Sequence, residues 1–166
     1  SDVTLNYVYG GQFFGDADIT AVMDTWYAGG TEVVFACGGG IYTSAVDAAK
    51  KANGKVIGVD VDQSFDSPTV ITSAMKGIGE AAQQALKAAE SEDSWNAFIG
   101  DGNTSITLGA AEGAVGLPTA TWSLEGWTVA DYEAKLADIV SGKVVVDNAD
   151  VPEPASTANV TMNIVK

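Results

Sequence analysis

Two apolar runs of strand length, residues 32–37 and 55–59, lie on either side of a glycine turn and an Ala-rich stretch, and this spacing constrains the chain more than anything else in it. A continuous apolar run is what a parallel strand covered on both faces requires. The first run stops at Gly38-Gly39-Gly40, residues 44–52 have helical composition and end near Asn53-Gly54, and the second run stops at Asp60. Strand, turn, helix and strand in this compass form a βαβ unit, whose crossover is expected to be right-handed.

The same alternation extends outward. Residues 3–9 alternate apolar and polar side chains like a half-buried strand and run into Gly10-Gly11. Ile19, Val22, Met23 and Trp26 share one helical face, with Asp18 as the expected cap and Gly29-Gly30 as the stop. Beyond Asp60 the pattern predicts a short extended piece at 70–72, a helix over 76–89 and a strand over 95–99. Further extended pieces are expected at 104–108 and 113–117. A helix over residues 129–140 is started by Thr128 and closed by Ser141-Gly142. A short strand at 143–146, a loop over 147–156 containing Pro152 and Pro154, and an edge strand at 160–164 complete the reading. The fold class is α/β: a parallel-sheet sandwich with helices on both faces, in a single domain over residues 1–166 whose stretch 147–166 is an irregular tail.

Composition removes several functions. The chain has no His, its 8 cations are all Lys, and its net charge is −14. Such a surface does not neutralise phosphates, so nucleic acid is not an expected partner. A Ser-His-Asp relay and a His-based zinc site are both excluded, and neither a cofactor nor a metal is expected. An apolar fraction of 46% is enough for a core, so the acidity is not a sign of disorder. Cys37 ends an apolar run and reads as a small buried hydrophobe.

In open parallel sheets ligands lie outside the C-terminal strand ends, which directs attention to four places. The first expected strand is followed by Phe13 and Phe14 in a Gly-rich turn, placed either to stack on a planar ligand or to tuck back onto the core. The second is followed by Gly38, Gly39 and Gly40, which bring backbone N–H groups to a ligand or simply make a tight turn. They lack the G-x-G-x-x-G spacing of a dinucleotide site. The third is followed by Asp60 and Asp62, carboxylates able to accept hydrogen bonds from vicinal hydroxyls or to cap the next turn. Lys76, after Thr72-Ser73, returns a cation to the same edge or stands as a surface lysine at a helix start.

These residues resemble the basic membrane protein family of bacterial lipoproteins. The resemblance runs from Asn6-Tyr7-Val8 through Gly30-Thr31-Glu32-Val33-Val34-Phe35 to the three glycines. It continues with Ile57-Gly58-Val59-Asp60-Val61-Asp62-Gln63, then Thr72-Ser73-Ala74-Met75-Lys76, and reaches Gly113-Ala114-Val115-Gly116-Leu117 and Ile139-Val140-Ser141-Gly142-Lys143-Val144. It implies one lobe of a type I periplasmic-binding-protein fold in a solute-binding component of an ABC transporter, carrying a purine nucleoside to a permease. It also implies an extracytoplasmic protein, lipid-anchored at full length, of which this chain is a carboxy-terminal fragment lacking the amino-terminal lobe. The face that lobe would cover could then drive self-association. On the family's pattern Phe13 or Phe14 stacks on the base, the glycine turn supplies backbone contacts, Asp60 holds the ribose and Lys76 completes the polar set. The turn Gly11-Gln12-Phe13-Phe14-Gly15-Asp16 departs by about one residue from the family's Ser-Phe-x-Asp. Two other functions fit a similar sheet: a nucleoside hydrolase-like or metal-dependent enzyme using Asp60 and Asp62, and a ligand-sensing domain.

Overall fold

A computed structural model describes residues 3–100, 102–146 and 157–165. In chain order the elements are β1 (Val3–Tyr7), α1 (Ala17–Ala28), β2 (Val33–Phe35), α2 (Tyr42–Ala52), β3 (Lys55–Asp60), β4 (Val70–Lys76), α3 (Ile78–Ala88), α4 (Glu92–Ile99), β5 (Val115–Gly116), α5 (Val129–Val140) and β6 (Val160–Ile164). The central sheet has the order β2-β3-β4-β5, with the first three strands parallel and β5 antiparallel at the edge. Strand β1 pairs in parallel with β6 as a separate two-stranded sheet. The architecture is α/β, and the expected edge strand at 160–164 is present; the expected loop at 147–156 lies outside the described residues. Among the described residues no helix is long and apolar enough to cross a membrane.

The core follows from the βαβ unit. Val34, Val56 and Val70 are cross-strand neighbours in register and therefore share one face of the sheet. Helices α1 and α2 close over that face, bringing Met23 and Tyr27 from one and Ala45, Ala48 and Ala49 from the other. Three alanines let α2 approach the strands closely. Val56 has no exposed surface, and its burial is worth roughly 1.5–3 kcal/mol. The Tyr27 hydroxyl donates to the Lys55 carbonyl at 2.7 Å, and burial pushes its phenol up to about 12.

Several expectations are corrected, each for a local or tertiary reason. Strand β2 is covered on one side only: Val34 is buried, whereas Val33 and Phe35 on the other face are 39% and 52% exposed. It pairs over three residues, and the chain then leaves the sheet, so Cys37 is exposed and not buried. The cap of α1 is Asp16 and not Asp18; its carboxylate accepts from the Ile19 N–H at 2.8 Å. Residues 95–99 are helical, in α4. The reason is the Ser91–Ser94 capping box, with Glu92 and Asp93 in the first turn where the helix dipole favours acids. Strand β4 runs on to Lys76 because β5 returns to pair with Met75 and Lys76, and the helix starts only at Ile78. Residues 104–108 and 143–146 form no strand, having no partner strand in the sheet order, and the piece at 113–117 is reduced to β5.

Candidate functional site

The turn after β1 is held from within. The Gln12 amide donates to the Phe14 carbonyl at 3.0 Å and to the Asp16 carboxylate at 2.7 Å, which braces the turn that carries Phe13 and Phe14. Ser44 of α2 clamps the end of the turn, its hydroxyl accepting from the Asp16 N–H at 2.9 Å and donating to the Asp16 carbonyl at 3.0 Å. Backbone and Gln12 donors hold the Asp16 carboxyl below the usual carboxylate range. Phe13 and Phe14 are 78% and 62% exposed, so neither ring tucks back onto the core.

The glycine turn lies directly beneath this aromatic turn. Phe14 and Gly40 form a parallel bridge, and a Cβ at Gly40 would lie 3.1 Å from the Phe13 carbonyl oxygen. Gly39 has φ +52°, a left-handed conformation that glycine adopts freely. The three glycines therefore let the aromatic turn rest on the backbone that opens α2.

At the exit of β3 the chain makes a tight, pinned turn. Asp60 is a non-glycine residue at φ +68°, and the Val61 N–H donates back to the Val59 carbonyl at 2.8 Å. Strain of this kind persists only where the surroundings enforce it, and it concentrates at functional sites. The enforcing group is Gln63, which the sequence offers only beside Asp60 and Asp62 as a thin set of metal ligands. Its Oε1 accepts from the Val59 N–H at 3.0 Å and its own N–H donates to the Ser73 hydroxyl at 3.0 Å. Gln63 and Ser73 are both buried, and the space that they fill is the space a side chain at Gly58 would need.

Asp60 pairs with Met75 across β3 and β4, which puts Lys76 one residue further along the same edge. The Lys76 ammonium lies 3.1 Å from the Asp60 carboxylate, with both side chains partly in water. The pair borders a cleft of about 450 Å³ whose other walls include Asp62, Gly77, Gly113 and Val115. That volume is within the usual range for small-molecule sites. Asp62 faces another way: its carboxylate accepts from the Ser64 N–H at 3.0 Å and from the Thr121 hydroxyl at 2.6 Å. Burial pushes the Asp62 carboxyl up, but the bonds from Thr121 and Ser64 outweigh this and hold it below the usual range.

The expected site residues thus fall into two groups. Phe13 and Phe14 sit on Gly38, Gly39 and Gly40, while Asp60, Lys76 and Asp62 line one cleft. Strands β2 and β3 are parallel neighbours, so both groups leave the sheet at the same C-terminal edge. Tyr42, at the start of α2, ties the two, its hydroxyl donating to the Asp66 carboxylate in the turn after β3 at 2.7 Å. Phe13 and Phe14 lie outside the lining of the Asp60 cleft. Thr121 has no sequence signal, because its partner is 59 positions away. Among the described residues no three His, Cys, Asp or Glu side chains converge as a metal site would require.

Comparison with known proteins matches the chain to a family. The family described as ABC transporter substrate-binding protein, PnrA-like (Bmp) matches residues 1–150. The chain is 30% identical to the ABC transporter nucleoside-binding protein BmpA of Lactococcus lactis subsp. cremoris (strain MG1363), over 88% of this chain and 44% of that protein. It therefore spans less than half the length of that relative. A crystal structure of a transcriptional activator of the comK gene from Bacillus halodurans superposes with a TM-score of 0.58 over 80% of this chain and 44% of the other. Its 17% identity to the chain supports a shared fold alone, and the α/β layout agrees with one lobe of a periplasmic-binding-protein-like fold. With the family matched over nine-tenths of its length, the chain belongs to the Bmp family of PnrA-like ABC transporter substrate-binding proteins.

Proposed function

We propose that this chain supplies one wall of a solute site in an ABC transporter binding protein, and that the solute is a purine nucleoside or a close ribose-bearing relative. The observation that carries the reading is the pairing of two features on one sheet edge: exposed aromatic rings on a braced turn, and a carboxylate–lysine pair in a cleft. A planar base is the natural partner of the first, through stacking by Phe13 or Phe14. Vicinal hydroxyls are the natural partner of the second. Asp60 accepts their hydrogen bonds, while Lys76 stands beside the carboxylate and donates to ligand oxygens. Gly38, Gly39 and Gly40 bring backbone N–H groups close to the ligand between these two ends.

The name of the lactococcal relative, a nucleoside-binding protein, supports this ligand class. The second wall of the cleft belongs to an amino-terminal lobe, closing on a hinge to bury the ligand. The protein works without chemical conversion of its ligand, outside the cytoplasm, held by a lipid anchor and delivering to a membrane permease. Titration calorimetry of the full-length protein with adenosine, guanosine and inosine is the test. Saturable binding of at least one nucleoside is expected, with weaker binding by the 166-residue chain, which offers only part of the contacts. Release of free base from inosine, or no binding of any nucleoside, contradicts the proposal.

A further inference from the structure

We infer that Asp62 is a positioning residue: through Thr121 it latches segment 117–127 to the exit of β3 and so holds the strained turn that presents Asp60. The inference takes its functional consequence from the nucleoside reading above, but its geometry is independent of it. Segment 117–127 carries Trp122 and Trp127, and two side-chain hydrogen bonds tie it to the β3–β4 pair. The Thr121 hydroxyl donates to Asp62 at 2.6 Å, and the Ser123 hydroxyl donates to the Ile71 carbonyl at 2.8 Å. Ile71 is the residue skipped where the β3–β4 register shifts, since Val56 faces Val70 and Ile57 faces Thr72. At the near end of the segment the Leu117 N–H donates to the Tyr132 hydroxyl at 3.0 Å. Trp122, Trp127 and Tyr132 pack as one aromatic cluster with ring centroids 5.5 to 6.2 Å apart. The segment is thus a braced strap with one foot on the turn after β3 and the other near the start of β4.

The foot on Asp62 has leverage because of where Asp62 stands. It lies between the left-handed Asp60 and the buried Gln63, and its other oxygen accepts from the Ser64 N–H. A charged acceptor makes the stronger kind of hydrogen bond, and the short Thr121 contact is of that kind. With both its oxygens engaged by protein donors, the Asp62 carboxylate orients the turn, while the Asp60 carboxylate contacts Lys76 beside the cleft.

Amide hydrogen exchange on the ligand-free protein tests the latch, with Thr121→Val and Thr121→Ser beside the parent. Exchange at the Val61 and Gln63 amides is expected to speed up about tenfold in Thr121→Val and to return to the parental rate in Thr121→Ser. The Val56 amide, bonded to the Thr69 carbonyl at 2.8 Å in the core, is expected to stay unchanged. Parental rates at Val61 and Gln63 in Thr121→Val overturn the inference, and so does acceleration shared by Val56, which reports global loosening. Calorimetry of the same variants separates the two claims. Responsive amides without nucleoside binding by the parent leave the latch standing and remove the nucleoside reading. Nucleoside binding with unresponsive amides does the reverse. Where both hold, Thr121→Val is expected to weaken inosine while leaving hypoxanthine unchanged.

Discussion

At the exit of β3 the Gln63 side chain occupies the volume that any side chain at position 58 would need, and it satisfies the Val59 N–H with its own oxygen. Gly58→Ala must therefore expel Gln63 and leave buried donors without acceptors, a cost of about 1–3 kcal/mol. Chemical denaturation is expected to show that loss; a variant as stable as the parent would mean that the turn repacks freely. A second residue points the opposite way. The Thr72 hydroxyl is buried and has no hydrogen-bond partner among the described residues. Thr72→Val removes an unsatisfied group at nearly constant shape, so stability is expected to hold or rise by up to about 1 kcal/mol. A clear loss would reveal a partner for that hydroxyl. The run Ile57-Gly58-Val59-Asp60-Val61-Asp62-Gln63 is conspicuous in the sequence for its carboxylates, and the structure gives part of its meaning to Gly58 and Gln63, which build the platform.

Among elements, α1 shows how a cap and a site brace can be one residue. Asp16 starts the helix with one carboxylate oxygen and anchors Gln12, hence the aromatic turn, with the other. Its pKa is depressed in the folded chain, so its contribution is fully present above the unfolded carboxylate range and is lost as pH falls through the lower, folded value. Asp16→Ala is expected to melt a few degrees below the parent near neutral pH, with the gap closing in strongly acidic buffer. A gap independent of pH would remove the carboxylate from the cap. The elements with local signals were legible: the βαβ unit, the α5 start at Thr128 and the β6 edge all carry their own periodicity and caps. Those set by distant partners were not. The length of β4 depends on β5 returning from nearly 40 residues away, and the fate of residues 143–146 depends on there being no neighbouring strand. Helix α4 reads as a strand in sequence because the apolar residues at 95–99 outweigh the Ser91 cap that precedes them.

For the whole molecule, the balance between 22 acids and 8 lysines sets the electrostatic surroundings of the candidate site. Such an excess repels itself, and salt screens the repulsion. Raising ionic strength from a few millimolar to physiological is therefore expected to raise the melting temperature, whereas a fall would mean that exposed ion pairs such as Lys51–Asp24 dominate. The same balance gives the Asp60–Lys76 pair its significance, because a cation placed beside a cleft carboxylate stands out in so acidic a chain. The candidate site was legible as residue types at strand ends, since the end of a parallel strand can be read from where an apolar run stops. Its two-part layout was not, because the contacts that create it, Phe14 with Gly40 and Tyr42 with Asp66, join separate loops. The central claim is that an aromatic ring and the Asp60 carboxylate grip opposite ends of one nucleoside. Its most direct test is the affinity of Asp60→Asn in the full-length protein for inosine and for hypoxanthine, measured by calorimetry. The account predicts a loss of about tenfold or more for inosine and little change for the free base. Equal losses for both would contradict it.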